Sequence, residues 1–133
     1  MPTELLIVTP FKKALSSLKK ALATPKNEIS RDASIQRFEY TFELAWKTLK
    51  RHLTNEAGLK EYNIKNIFRE AARAGLITNI DEWFAYLEAR NLTSHTYNED
   101  VAEETYKAAK QFATAAEDLL KKLEKHYAHT THK

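Results

Sequence analysis

The chain has 133 residues, a formal net charge of +3, no cysteine, two glycines and three prolines. That length can bury a core without disulfides or a structural metal, and the missing thiols exclude thiolate zinc sites and cysteine nucleophiles. So few turn residues exclude a β-rich fold, and the small net charge with interspersed signs permits a nucleic-acid partner without demanding one.

The N-terminus, "MPTELLIVTPFKK", has a short apolar patch without a basic leader and is cut by Pro10. It reads as neither signal peptide nor membrane anchor, and a soluble cytoplasmic protein is expected. A first helix is predicted over about residues 9–23, with Thr9 as N-cap, Pro10 at the first helical position, and Phe11, Leu15, Leu18 and Leu22 as its stripe. Pro25 ends it and Asn27 can cap the next, over about residues 28–52, where Ile35, Phe38, Phe42, Ala45, Leu49 and Leu53 recur at three- and four-residue steps. Tyr40, Leu44 and Trp46 widen this apolar arc, so the helix is expected to touch more than one neighbour.

A polar connection, "TNEAGLKEYN", leads to a short helix capped by Asn63 and closed near Gly75. The next helix starts at Thr78 or Asn79, with Asp81 and Glu82 in its first turn, and carries the apolar run "WFAYLEA". After "TSHTYNED", a last helix opens at Asn98 and runs to about Tyr127 on Ala102, Tyr106, Ala109, Phe112 or Ala113, Ala116, Leu119 and Leu123. The predicted fold is all-α: an up-and-down four-helix bundle with an additional short helix. Residues 1–125 are expected to form the one domain and residues 126–133, which lack a core pattern, a fraying C-terminal tail.

The chemistry-bearing stretch is "RNLTSHTY", Arg90 to Tyr97. On a continuous helix Arg90 and His95 lie about 140° apart, whereas Arg90 and Tyr97 share a stripe. Thr93 and Ser94 compete for backbone hydrogen bonds, so a helix end near them can swing His95 toward Arg90; a second copy across a dimer axis can also complete the pair. Histidine exchanges protons near neutral pH, and the arginine fork matches phosphate oxygens. RNA cleavage needs a base for the 2′-OH, an acid for the 5′-oxygen and a cation for the phosphorane. Two histidines from a symmetric dimer would supply both proton transfers. A solvated helix terminus is the plain alternative.

Several other residues have two readings. Glu39 and Glu43, one turn apart, are expected to be a solvated helix edge, though one can orient Arg90. Trp46 and Trp83 can stack on bases, but aromatics at helical spacing belong to a core. Lys47, Lys50, Arg51 and His52 form a small basic patch, read as a charged helix end or as a track for an RNA backbone. His126, His129 and His132 have metal-ligand spacing, but without acidic or cysteine partners in a fraying tail only adventitious binding is expected.

Together "RFEYTFELAWKTLKRHL" at 37–53, "REAARAGLI" at 69–77, Trp83 and "RNLTSHTYNED" at 90–100 resemble the HEPN superfamily, and within it the HepT-type toxins, or nucleotidyltransferase substrate-binding proteins. The resemblance runs from the first helix to the last. It implies a dimeric helical bundle with a metal-independent R-x-x-x-x-H ribonuclease site at the dimer interface, needing no cofactor. Arg90 and His95 match that pattern, Asn91 is the polar residue after the arginine, and Tyr97 matches the HepT extension R-x-x-x-x-H-x-Y. It further implies a toxin of a type VII-like toxin–antitoxin pair that cuts tRNA or mRNA. The partner would be an MntA-type minimal nucleotidyltransferase that transfers AMP to Tyr97, in a heterotetramer or larger complex. Some members of the branch are described only as non-catalytic adaptors that bind the transferase.

Overall fold

The computed structural model describes residues 3–60 and 63–131. Five α-helices follow one another: α1 (Thr3–Ala23), α2 (Glu28–Ala57), α3 (Ile64–Arg73), α4 (Ile80–Asn91) and α5 (Glu99–Thr131). A single 3-10 turn, Thr93–His95, joins α4 to α5. The architecture is the expected all-α bundle. Helix α2 is its spine, packed on α1 and α5 and touched by α3 and α4.

Side-chain caps set most boundaries. Asn27 and Ser30 form a reciprocal box, each side chain accepting the other's backbone N–H at 2.8 Å. Asn63 accepts from the Asn66 amide and Asn79 from the Glu82 amide at the starts of α3 and α4. The Asn98 side chain takes the Asp100 and Val101 amides at the start of α5. Helix α2 ends at Gly58, whose φ of 69° is a left-handed conformation that only glycine adopts freely.

Three boundaries differ from expectation. Helix α1 starts at Thr3 and runs through Pro10, which lies inside it and not at its first position. Proline forfeits the bond to the carbonyl four residues back, but Ile7 and Val8, 8% and 4% exposed, bury enough apolar surface to keep the turn helical. Helix α2 runs to Ala57, five residues beyond the expected end at His52: past buried Leu53 its last turn is exposed and ends where Gly58 supplies the left-handed cap, its N–H bonding the Thr54 carbonyl. Of the connection that follows, Glu61 and Tyr62 lie outside the described residues.

The third correction concerns the C-terminus. Helix α5 continues to Thr131, and Tyr127, 1% exposed, is among the most buried side chains. The expected boundary at 125/126 therefore falls inside a packed helix. His132 and Lys133 of that stretch lie outside the described residues.

The core centres on Phe112 of α5. Its ring meets those of Phe38, Phe42, Trp83 and Tyr86 at centroid distances of 5.3, 5.8, 5.8 and 5.5 Å, mostly edge to face. At the N-terminal end of α2, buried Arg31 binds Glu99 through both terminal nitrogens, and also Glu103 and Asp32, tying α2 to the first turns of α5. The ends of α4 and α5 that flank residues 90–98 are thus fixed to one rod.

Candidate functional site

Arg90 is the second-last residue of α4, and Tyr86, Leu87 and Ala89 on the same helix are buried. That packing aims the Arg90 stem along α2, where its guanidinium carbon sits 5.9 Å from the centre of the Phe42 ring. The head forms an ion pair with Glu43, and one terminal nitrogen donates to Asn91 Oδ1 at 3.0 Å. Glu43 in turn accepts from the Trp46 indole N–H at 3.2 Å. A chain Trp46 to Glu43 to Arg90 therefore runs across the α2–α4 junction.

One turn back on α2, Glu39 performs a matching task. The Thr93 hydroxyl is 2.8 Å from a Glu39 carboxylate oxygen and 2.8 Å from the Arg90 carbonyl, two acceptors that share its one proton. Glu39 is exposed, as expected of a solvated edge, and Glu43 is partly buried, yet both engage the α4 terminus. The signal in the sequence was their spacing of four, which puts both on one face of α2.

Beyond Thr93 the chain turns as predicted, through one 3-10 turn in which the His95 amide bonds the Leu92 carbonyl at 2.9 Å. Here His95 and Tyr97 meet: the phenol oxygen is 3.5 Å from His95 Nδ1 and the ring centroids are 6.0 Å apart, edge to face. His95 is exposed, and Tyr97, at 84%, is among the most exposed large side chains described. So within one chain the turn pairs His95 with Tyr97, while Arg90 is held by Glu43 and Asn91.

The Arg90 side opens onto a shallow groove. Glu39, Tyr40, Glu43, Lys47, Arg90 and Asn91 line it, with Thr93 and Ser94 at the turn. Lys47 brings a second cation to it. The rest of the expected basic patch divides: Lys50 and Arg51 line a neighbouring groove beside Trp46, whereas His52 is buried and belongs to the bundle interior. Trp83 is core, 2% exposed, as its helical spacing predicted, and Trp46 is half-buried.

In chemical terms the site offers a charged fork with remaining donors, a second cation in the same groove, and an exposed imidazole beside an exposed phenol. That set can bind a phosphate and exchange protons close to it. Among the described residues, no helix is long and apolar enough to cross a membrane.

Comparison with known proteins agrees with the geometry. Residues 7–125 match the family described as nucleotidyltransferase substrate binding protein like. Over 94 residues the chain is 39% identical to a probable ribonuclease HepT of Haemophilus influenzae, an alignment covering 68% of this chain and 64% of the relative. The chain thus matches just under two thirds of that relative's length. Among solved structures, a protein of Thermus thermophilus matches with a TM-score of 0.80 and 36% identity, over 85% of this chain and 98% of that one. A Haemophilus influenzae protein, described as revealing the fold of a substrate-binding domain of a nucleotidyltransferase, matches with a TM-score of 0.81 and 31% identity, over 88% of this chain and 98% of that one. With the helix order, the Arg90-to-Tyr97 turn and these likenesses together, the chain belongs to the HepT-type family of nucleotidyltransferase substrate-binding proteins.

Proposed function

We propose that the protein is an endoribonuclease toxin that works as a homodimer in the cytoplasm and is silenced by AMP transfer to Tyr97. The reading rests on one observation above others: the Tyr97 hydroxyl is solvent-exposed and 3.5 Å from His95 Nδ1, so a group added to the phenol lands beside the imidazole.

In the cleavage step, His95 of one protomer takes the proton of the ribose 2′-OH. The 2′-oxygen attacks the adjacent phosphorus, and the bond to the 5′-oxygen breaks as that oxygen receives a proton from His95 of the second protomer. Arg90, steadied by Glu43 and Asn91, binds the scissile phosphate and stabilises the charge that builds on its oxygens. Lys47 in the same groove attracts the flanking backbone. This route assigns no step to a metal or cofactor.

In the silencing step, the Tyr97 phenol oxygen attacks the α-phosphorus of ATP bound to a minimal nucleotidyltransferase of the MntA type. The α–β bridging bond breaks, pyrophosphate leaves, and the phenol proton passes to the transferase or to water. The new phosphodiester carries negative charge beside His95 and a nucleotide's bulk, both of which oppose RNA binding.

The test is expression of the chain alone and with its transferase. Purified protein should cut RNA, and His95→Ala and Arg90→Ala should each lose about 10²–10⁴-fold of the rate. Co-expression should add AMP masses to the chain and abolish cleavage. If the wild type and His95→Ala are equally inert on RNA while the chain still binds the transferase, it is instead a non-catalytic substrate-binding subunit.

A further inference from the structure

At the far end of α2, away from the Arg90 turn, three side chains converge that the ribonuclease reading leaves unused. His52 and Glu56 lie one turn apart on α2, and His126 approaches them from α5; one ligand-type atom from each falls within 4.8 Å of the others. The two imidazoles are 4.9 Å apart, edge to face, and His126 Nε2 is 3.4 Å from a Glu56 carboxylate oxygen. From the structure we infer that His52, Glu56 and His126 form a site for a divalent transition cation of the zinc or nickel type.

The ligand set suits such an ion: two neutral imidazoles and one carboxylate, as in three-ligand zinc sites that keep a fourth position open to water. The arrangement is also supported from behind. His52 Nδ1 is 2.6 Å from the buried Tyr127 hydroxyl, a contact that fixes the ring and, when the imidazole donates, leaves Nε2 as the free electron pair. The cluster runs from buried His52 outward to exposed Glu56, so the inner ligand is rigid and the outer one accessible.

The same contacts also describe a polar plug closing the bundle. A satisfied histidine bonded to a tyrosine needs no second imidazole and no carboxylate within reach, however, and here both are present on separate helices. A bound ion would pin the last turns of α2 to α5. Because His52 lies nine residues beyond Glu43, about 13 Å along the helix axis, the ion would act on stability and not on the phosphate chemistry of Arg90.

The experiment uses the full chain without an affinity tag. Titration with ZnCl2 in a calorimeter, and with CoCl2 followed by visible ligand-field absorption, should give one saturable site per chain in the micromolar range or tighter. Excess Zn²⁺ should raise Tm by roughly 5–10 °C. Glu56→Gln and His126→Gln, both at accessible positions, should each weaken binding at least tenfold and shrink the Tm shift. A His129→Ala, His132→Ala double variant should bind as the wild type does. Binding only at millimolar metal, binding untouched by Glu56→Gln and His126→Gln, or binding lost in the tail double variant would each overturn the assignment.

Discussion

Glu43 holds Arg90: the carboxylate on α2 pairs with the guanidinium at the end of α4, and Trp46 holds the carboxylate in turn. The arginine proposed to bind phosphate is thus positioned before substrate arrives, but by a competitor of the same charge as the substrate. Replacing Glu43 by Gln keeps the shape and removes the charge. The expected result is a fall in kcat of about tenfold, as the fork loses its fixed direction, with Tm lowered by no more than a few degrees, since half-exposed pairs contribute about 0–1 kcal/mol. Single-turnover cleavage and thermal melting measure the two effects separately.

Thr93 is the second pin. Thr93→Val removes the hydroxyl shared between Glu39 and the Arg90 carbonyl and should loosen the 3-10 turn that carries His95. Cleavage should drop several-fold while the bundle melts within about 1 kcal/mol of wild type. Hydrogen exchange of the His95 amide, bonded to the Leu92 carbonyl, should speed up, and unchanged exchange would refute the pin.

Tyr97→Phe should free the chain from its transferase. The exposed ring makes little packing contact, so the fold should melt as wild type does, while intact mass after co-expression should show no added AMP. Masses that persist in the variant would move the acceptor elsewhere.

His52 should make stability fall on acidification. Its pKa is lowered from 6.5 by burial and by nearby His126, with Glu56 opposing, so the unfolded chain takes up the proton more readily than the fold does. The contribution is fully present above about pH 6.5 and is lost as pH falls through that value toward the lower folded one. Urea titrations from pH 7.5 to 5 should show this slope, and His52→Gln should flatten it.

Phe112 has the clearest structural weight. Fully buried and in contact with four aromatic rings, it should cost about 3–5 kcal/mol when cut to alanine, with a Tm drop of roughly 10 °C or more. Differential scanning calorimetry measures both.

Periodicity made the helices readable because each buries one stripe: every stripe residue expected for α2 and α5 is buried, and Asn27, Asn63, Asn79 and Asn98 all cap as their identity suggests. Boundaries failed at Pro10, where tertiary burial overrode a local signal, and beyond His52, where an exposed turn carries the helix on to its Gly58 cap. The C-terminal residues looked unpatterned because Tyr127 and His52, 75 positions apart, satisfy one another, and such a pairing leaves no local trace. The chemistry of Thr93 and Ser94 predicted the break, but it was the family resemblance that joined Arg90, His95 and Tyr97 as a set; within one chain the break pairs His95 with Tyr97, and Arg90 is held by Glu43 and Asn91. That Glu43 engages the arginine was visible only as spacing, because two helices must cross before the pair can form.

Helix α2 presents Glu39 and Glu43 to the α4 terminus and, two and a half turns later, His52 and Glu56 to α5. An inserted or deleted residue between Glu43 and His52 would swing one group about 100° away from its partner while the other stayed in place. In the intervening segment, substitution at an exposed position such as Arg51 is therefore tolerated far better than any change in length. A drift of seven residues, nearly two whole turns, would restore the direction to within about 20° but leave one group displaced by about 10 Å along the axis from its partner.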